Sequence, residues 1–164
     1  MIKTYKYYLI KLFLKRTLVV TSIFFSLIFI LSIFEEITFF KDLEVNFLFP
    51  LLMTFLNTPS SLFEIFPFIF LISTQFFFIE LINKNELEIF KVNGLNNFKI
   101  IKLLFFTSFV VGLLITILFY NFSSKLKFIY LDLKNNYSTD NKYLAVSTEN
   151  GLWIKDEIDN KIYI

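Results

Sequence analysis

The 164-residue chain has no cysteine and no histidine, three glycines, three prolines, one tryptophan and one arginine. Without Cys or His it cannot assemble a zinc site, a thiolate nucleophile or a Ser/His/Asp triad, so the commonest catalytic constellations are excluded. No catalytic residue, metal site or cofactor is assigned, and an enzymatic role is not expected. Absent cysteine leaves the redox compartment open. A net charge of +2 is too small to argue for nucleic acid as a partner. What the chain does have is apolar surface: 56% of residues are hydrophobic, 21% are aromatic, and Phe alone supplies 25. That is too greasy for an ordinary soluble domain and points to a bilayer as solvent.

Three stretches read as membrane spans. Thr17 to Phe34 is eighteen residues without a charge, closed by Lys15 and Arg16 before it and by Glu35 and Glu36 after it. The run is longer than the core of a cleaved signal peptide, and no small-residue cleavage site follows. Leu103 to Ser124 is the cleanest run, with twenty-two uncharged residues between Lys102 and Lys125. Between them, Thr58 is suited to cap a helix with Pro59 in its first turn, which gives a second span from 59 to 83. Pro67 should kink it. Val45 to Asn57, only thirteen residues, is too short to cross and is expected at the interface or packed on the bundle. The expected spans are therefore about 17–36, 59–83 and 97–124.

Charge sets the orientation. Residues 1–16 carry five basic groups and no acid, whereas 35–47 carry Glu35, Glu36, Asp42 and Glu44 against Lys41 alone. The basic N-terminus, 1–16, is expected in the cytoplasm or at its interface, and three crossings then put the tail outside. Segment 84–96 returns to the cytoplasm. There Asn85 and Glu88 fit a capping box, Gly94 and Leu95 fit a Schellman stop, and Asn96 or Asn97 starts the next helix. A short helix, about Glu86 to Asn93, is expected between the second and third spans. Leu87, Ile89, Phe90 and Val92 are costly to expose there, which argues for a membrane surface or a protein partner. Glu64 and Glu80, near expected helix ends, read more simply as interfacial than as a proton relay.

The tail changes character after Tyr137 into short strand-like runs, KYLAVS, GLWIKD and KIYI, with Asn150-Gly151 as a hairpin signal. Residues 125–164 thus read as the start of an extracytoplasmic β-domain, with Trp153 as a core residue of its sheet. The fold class expected is mainly α and integral to the membrane, with three transmembrane helices, a short cytoplasmic helix and the first strands of a β-domain.

The order of these features resembles the LptF/LptG permease family. A basic start with Tyr8 and Leu9 precedes the first span; TPSSLFEIFPFIFLIS is similar to the family's proline-marked second span. NELEIFKVNG looks like its cytoplasmic coupling segment, Glu86-Leu87 matching its Glu-Leu and Gly94 its closing glycine. NGLWIKD followed by YI resembles the opening strands of a β-jellyroll, closer to LptG than to LptF. The likeness covers nearly the whole chain but only the N-terminal half of such a permease, the other three helices and most of the jellyroll having no counterpart in these residues. It implies a permease subunit of an ABC transporter that carries lipopolysaccharide from the inner membrane toward the outer one. The partners it implies are an LptB-like cytoplasmic ATPase, an LptF-like companion permease, an LptC-like periplasmic bridge protein and membrane lipid. Glu86, Leu87, Phe90 and Gly94 would meet the ATPase, and Phe24, Phe25 and Phe29 would line the lipid path. Where LptG proteins carry basic residues at the outer end of the first span, Ser32, Glu35 and Glu36 stand here, and Lys91, Val92 and Asn93 replace the small residues usual before the glycine. The alternatives are another ABC permease, such as the lipoprotein-release type, or a scaffold protein of the membrane that transports nothing.

Overall fold

The computed structural model describes residues 2–41, 43, 45–137, 145–148, 151–154, 156–158 and 161–163, with backbone alone at 2, 3 and from 145 onward. Helix α1 spans Ile2–Phe39, 38 residues without glycine or proline. At 1.5 Å per residue that is about 57 Å, well beyond a hydrocarbon core of about 30 Å. The basic N-terminal segment is therefore the first turns of the spanning helix itself. Helix α2 (Leu48–Glu64) and α3 (Phe66–Asn83) follow, then the short α4 (Glu86–Val92). Helix α5 (Asn97–Leu114) runs through a π-helical segment (Ile115–Phe119) into α6 (Tyr120–Asn135). Among the described residues three helical stretches are long and apolar enough to cross a membrane: Thr4–Phe39, Phe66–Asn83 and Asn97–Asn135.

The second span departs from its expected form. No helix begins at Thr58. Thr58 and Pro59 lie inside α2, where the Thr58 hydroxyl donates back to the Thr54 carbonyl at 2.7 Å and Thr54 to Pro50 at 2.9 Å. A hydroxyl satisfied within its own helix is no cap. The break falls instead at Ile65, with φ −93° and ψ 5°, and Pro67 sits in the first turn of α3. Pro67 brings no N–H to the ladder, so Phe68 bonds the Ile65 carbonyl at 2.9 Å in a tighter turn. The segment before Thr58 packs on the bundle, with Pro50, Met53, Thr54 and Asn57 buried.

Ring contacts fix the arrangement of the helices. Phe13 meets Phe77 at 6.0 Å, Phe29 meets Phe55 at 4.8 Å and Phe40 meets Phe49 at 5.2 Å, so α2 and α3 form one broken rod antiparallel to α1. Phe66 and Phe63 each meet Phe119 at 6.5 Å, and Asn57 meets Lys127, so the rod from α5 to α6 runs back antiparallel to the second. The buried residues fall into three clusters along the bundle. Leu9, Leu12, Phe13, Phe77, Leu81, Ile100 and Leu104 form one at the α4 end. Val20, Leu62 and Ile69 form the middle one, and Phe40, Met53 and Tyr130 the far one.

From Lys125 to Asn135 the chain is still helical, continuing the third rod past its uncharged run. Beyond it the backbone forms two antiparallel ladders: β1 (Ala145–Thr148) with β2 (Gly151–Ile154), and β3 (Asp156–Ile158) with β4 (Lys161–Tyr163). Thr148 pairs with Gly151, so Gly151 opens β2 instead of sitting at a central turn position. Asn150 lies outside the described residues, as does the Trp153 side chain.

Candidate functional site

Helix α4 sits at the end of the bundle where α3 turns into α5. Asn85 enters it with φ 56°, a left-handed conformation that asparagine tolerates better than most residues, and its side chain makes no cap bond. The expected capping box with Glu88 is therefore absent: Asn85 acts as the turn residue between α3 and α4. At the other end the Schellman stop is complete. The Leu95 N–H reaches the Phe90 carbonyl at 2.9 Å, the Gly94 N–H reaches Lys91 at 3.0 Å, and Gly94 has φ +78°.

The helix presents two faces. Leu87 and Phe90, three residues apart, are half-buried against the cluster of Leu9, Phe13 and Phe77. Tyr8 on α1 donates its hydroxyl to the Glu86 carboxylate, 2.7 and 2.8 Å from the two oxygens. Ile89 and Val92 point the other way, 56% and 88% exposed, and Phe98 at the start of α5 is 70% exposed. Thus Glu86, Leu87 and Phe90 tie α4 to the bundle, while Ile89 and Val92, named beforehand only among the apolar residues costly to expose, form its uncovered side. One turn before α4, Glu80 accepts from Arg16 of α1 and from Lys84, the latter at 2.8 Å. Lys84 donates to the Glu80 carboxylate, and that hydrogen bond holds its ammonium pKa above the ordinary lysine value.

The sequence from 7 to 164 matches a family model, the lipopolysaccharide export system permease LptF/LptG. The chain belongs to the LptF/LptG family. That family comprises both proteins, so the match bears on the family and not on the choice between them. No curated protein and no solved structure matches the chain. Family membership and three apolar rods make it an inner-membrane permease component for lipopolysaccharide export, a transport role and not a catalytic one.

At the far end of this LptF/LptG chain lies a polar cluster that sequence reasoning missed. Glu36 is 1% exposed, and both its carboxylate oxygens accept from Lys134 of α6, at 2.9 and 3.1 Å; the Tyr130 hydroxyl adds 2.7 Å. Beside it Lys127 donates to Asn57 of α2 at 2.6 Å. The acid near the C-terminal end of the first span is thus an internal fastener for the third rod. Its partner is 98 positions away, and only recognising α6 as a helix would have placed Tyr130 and Lys134 on one face.

The aromatic residues named for the lipid path lie in the seam between the first and second rods of the permease. Phe24 and Phe25 pack on the middle cluster, Phe25 stacks on Phe29 at 6.2 Å, and Phe29 meets Phe55. All three are half-buried. Facing away on α1, Leu18, Val19, Ser22, Ile23, Ser26 and Leu27 line a shallow surface groove. Glu64, expected at an interface near the start of a helix from 59, is instead the last residue of α2, at the break in the second rod, level with Phe119 and Tyr120.

Proposed function

We propose that this LptF/LptG chain is a permease subunit of an ABC exporter of lipopolysaccharide, driven by a separate cytoplasmic ATPase. The observation that carries this reading is the two-faced α4: Tyr8, Leu87 and Phe90 hold it to the bundle while Ile89 and Val92 stay uncovered. An apolar face left open at the end of a transmembrane bundle suits a protein partner better than water. Lys11, Lys15, Arg16, Lys84, Lys99 and Lys102 gather at that same end, which favours a cytoplasmic N-terminus and a cytoplasmic α4. Glu86, Leu87, Phe90 and Gly94 form the coupling segment on this reading, with Ile89 and Val92 supplying its outward contact. ATPase closure then moves the spans through α4.

The companion permease and a periplasmic bridge protein complete the assembly. Residues 125–164 begin its periplasmic part, with the strand-forming tail opening a jellyroll. Lipid passes beside the half-exposed Phe24, Phe25 and Phe29. The test is purification with the neighbouring subunits. The ATPase is expected to co-purify with the native chain, and to be lost on Val92→Asp or Gly94→Pro while the chain still inserts. An ATPase retained by both variants would sink the assignment of α4.

A further inference from the structure

Two of the three rods are broken, and the breaks face one another. In the second rod the ladder shifts at Ile65 because Pro67 has no N–H to give. In the third, the Tyr120 N–H reaches back five residues to the Ile115 carbonyl, the signature of a π turn. Such turns loosen carbonyls that lipid cannot satisfy, and side chains answer them here: Thr116 donates to Gly112 at 3.0 Å, and the Asn121 amide to Ile117 at 2.6 Å. An amide inside an apolar run is costly unless it has such a partner. Phe63 and Phe66 of the second break touch Phe119 of the third, and Phe63 touches Tyr120 at 5.3 Å. The first rod is continuous, but over the same middle cluster Thr17, Thr21, Ser22 and Ser26 each donate to the carbonyl four residues back. That pattern bends helices.

Polar fasteners lie on either side of this level. Toward α4 are Tyr8 with Glu86 and Arg16 and Lys84 with Glu80; away from it are Glu36 with Tyr130 and Lys134, and Asn57 with Lys127. Where the breaks meet, the rods touch through aromatic rings, which can slide without breaking directional bonds. We propose that the bundle bends here as two bodies. One holds the start of α1 with α3, α4 and α5; the other holds the end of α1 with α2 and α6. The proposal does not depend on which partner α4 meets: any push on α4 reaches the far body as a change of angle.

The chain has no cysteine, so paired spin labels report without background. In the full chain in lipid nanodiscs, Tyr7→Cys with Ile101→Cys lies within the first body and Phe34→Cys with Ile129→Cys within the second. Tyr7→Cys with Ile129→Cys spans the two, and all four sites are exposed. The spanning pair is expected to give a distance distribution about twofold wider than either internal pair. Pro67→Ala, which returns an N–H to the second rod, is expected to narrow it. Gly112→Ala provides a second stiffening variant, since its added Cβ meets nothing within 4 Å and alanine favours helix. Narrowing by either substitution supports the hinge. A spanning pair as narrow as the internal pairs, or a wide one that neither substitution narrows, would overturn it.

Discussion

Glu36 shows how one residue can carry opposite meanings in sequence and in space. Read along the chain it closes the first span with a charge; in the fold it is buried, with Lys134 and Tyr130 both directed at it. Removing one member of a buried ion pair costs far more than the pair contributes, because the remaining charge stays in a poor solvent. Glu36→Gln takes from Lys134 the carboxylate that faces it and is expected to destabilise the bundle by about 3–5 kcal/mol. Replacing the whole cluster, as Glu36→Leu with Tyr130→Phe and Lys134→Met, should recover most of that loss. Unfolding in mixed micelles measures both, and a Glu36→Gln loss below about 1 kcal/mol would show the pair to be solvated. At the other end Glu80 plays the same part in a wetter place, with Lys84 itself exposed.

At the scale of elements, what ends a helix matters as much as what fills it. Gly94 was legible in advance because a stop followed by apolar Leu95 has a specific geometry, and the two Schellman bonds are there. Gly94→Ala has room for its Cβ but not the backbone conformation, φ being +78°. It should cost about 1 kcal/mol, read as roughly fivefold faster hydrogen exchange at the amides of Gly94 and Leu95. The prolines were harder. Pro59 and Pro67 lie eight residues apart with Glu64 between them, and either could start or break a helix. Thr58 suggested the first; the fold uses the second, because the Thr58 hydroxyl is already taken by Thr54. The faces of α4 were equally hidden, since apolar residues occupy both sides of a seven-residue helix and only its neighbours decide which side is covered.

For the whole molecule, the bundle is three long rods that reverse direction at α4 and again after Phe40. The proposed orientation places Val92 in the cytoplasm and Asn136 outside it. A membrane-impermeant maleimide should then label Val92→Cys only in inverted vesicles and Asn136→Cys only in intact spheroplasts; the reverse pattern would turn the bundle over. The sequence by itself determined that the chain lives in a bilayer, how many times it can cross and which family it resembles, because uncharged run length and the residues flanking a run are local properties. Only the tertiary structure decided where the second rod breaks, which face of α4 is left open and what Glu36 is for. Each of those depends on partners dozens of residues away, Tyr8 for Glu86, Phe119 for Phe66 and Lys134 for Glu36, and it is the packing of the rods that brings them within reach.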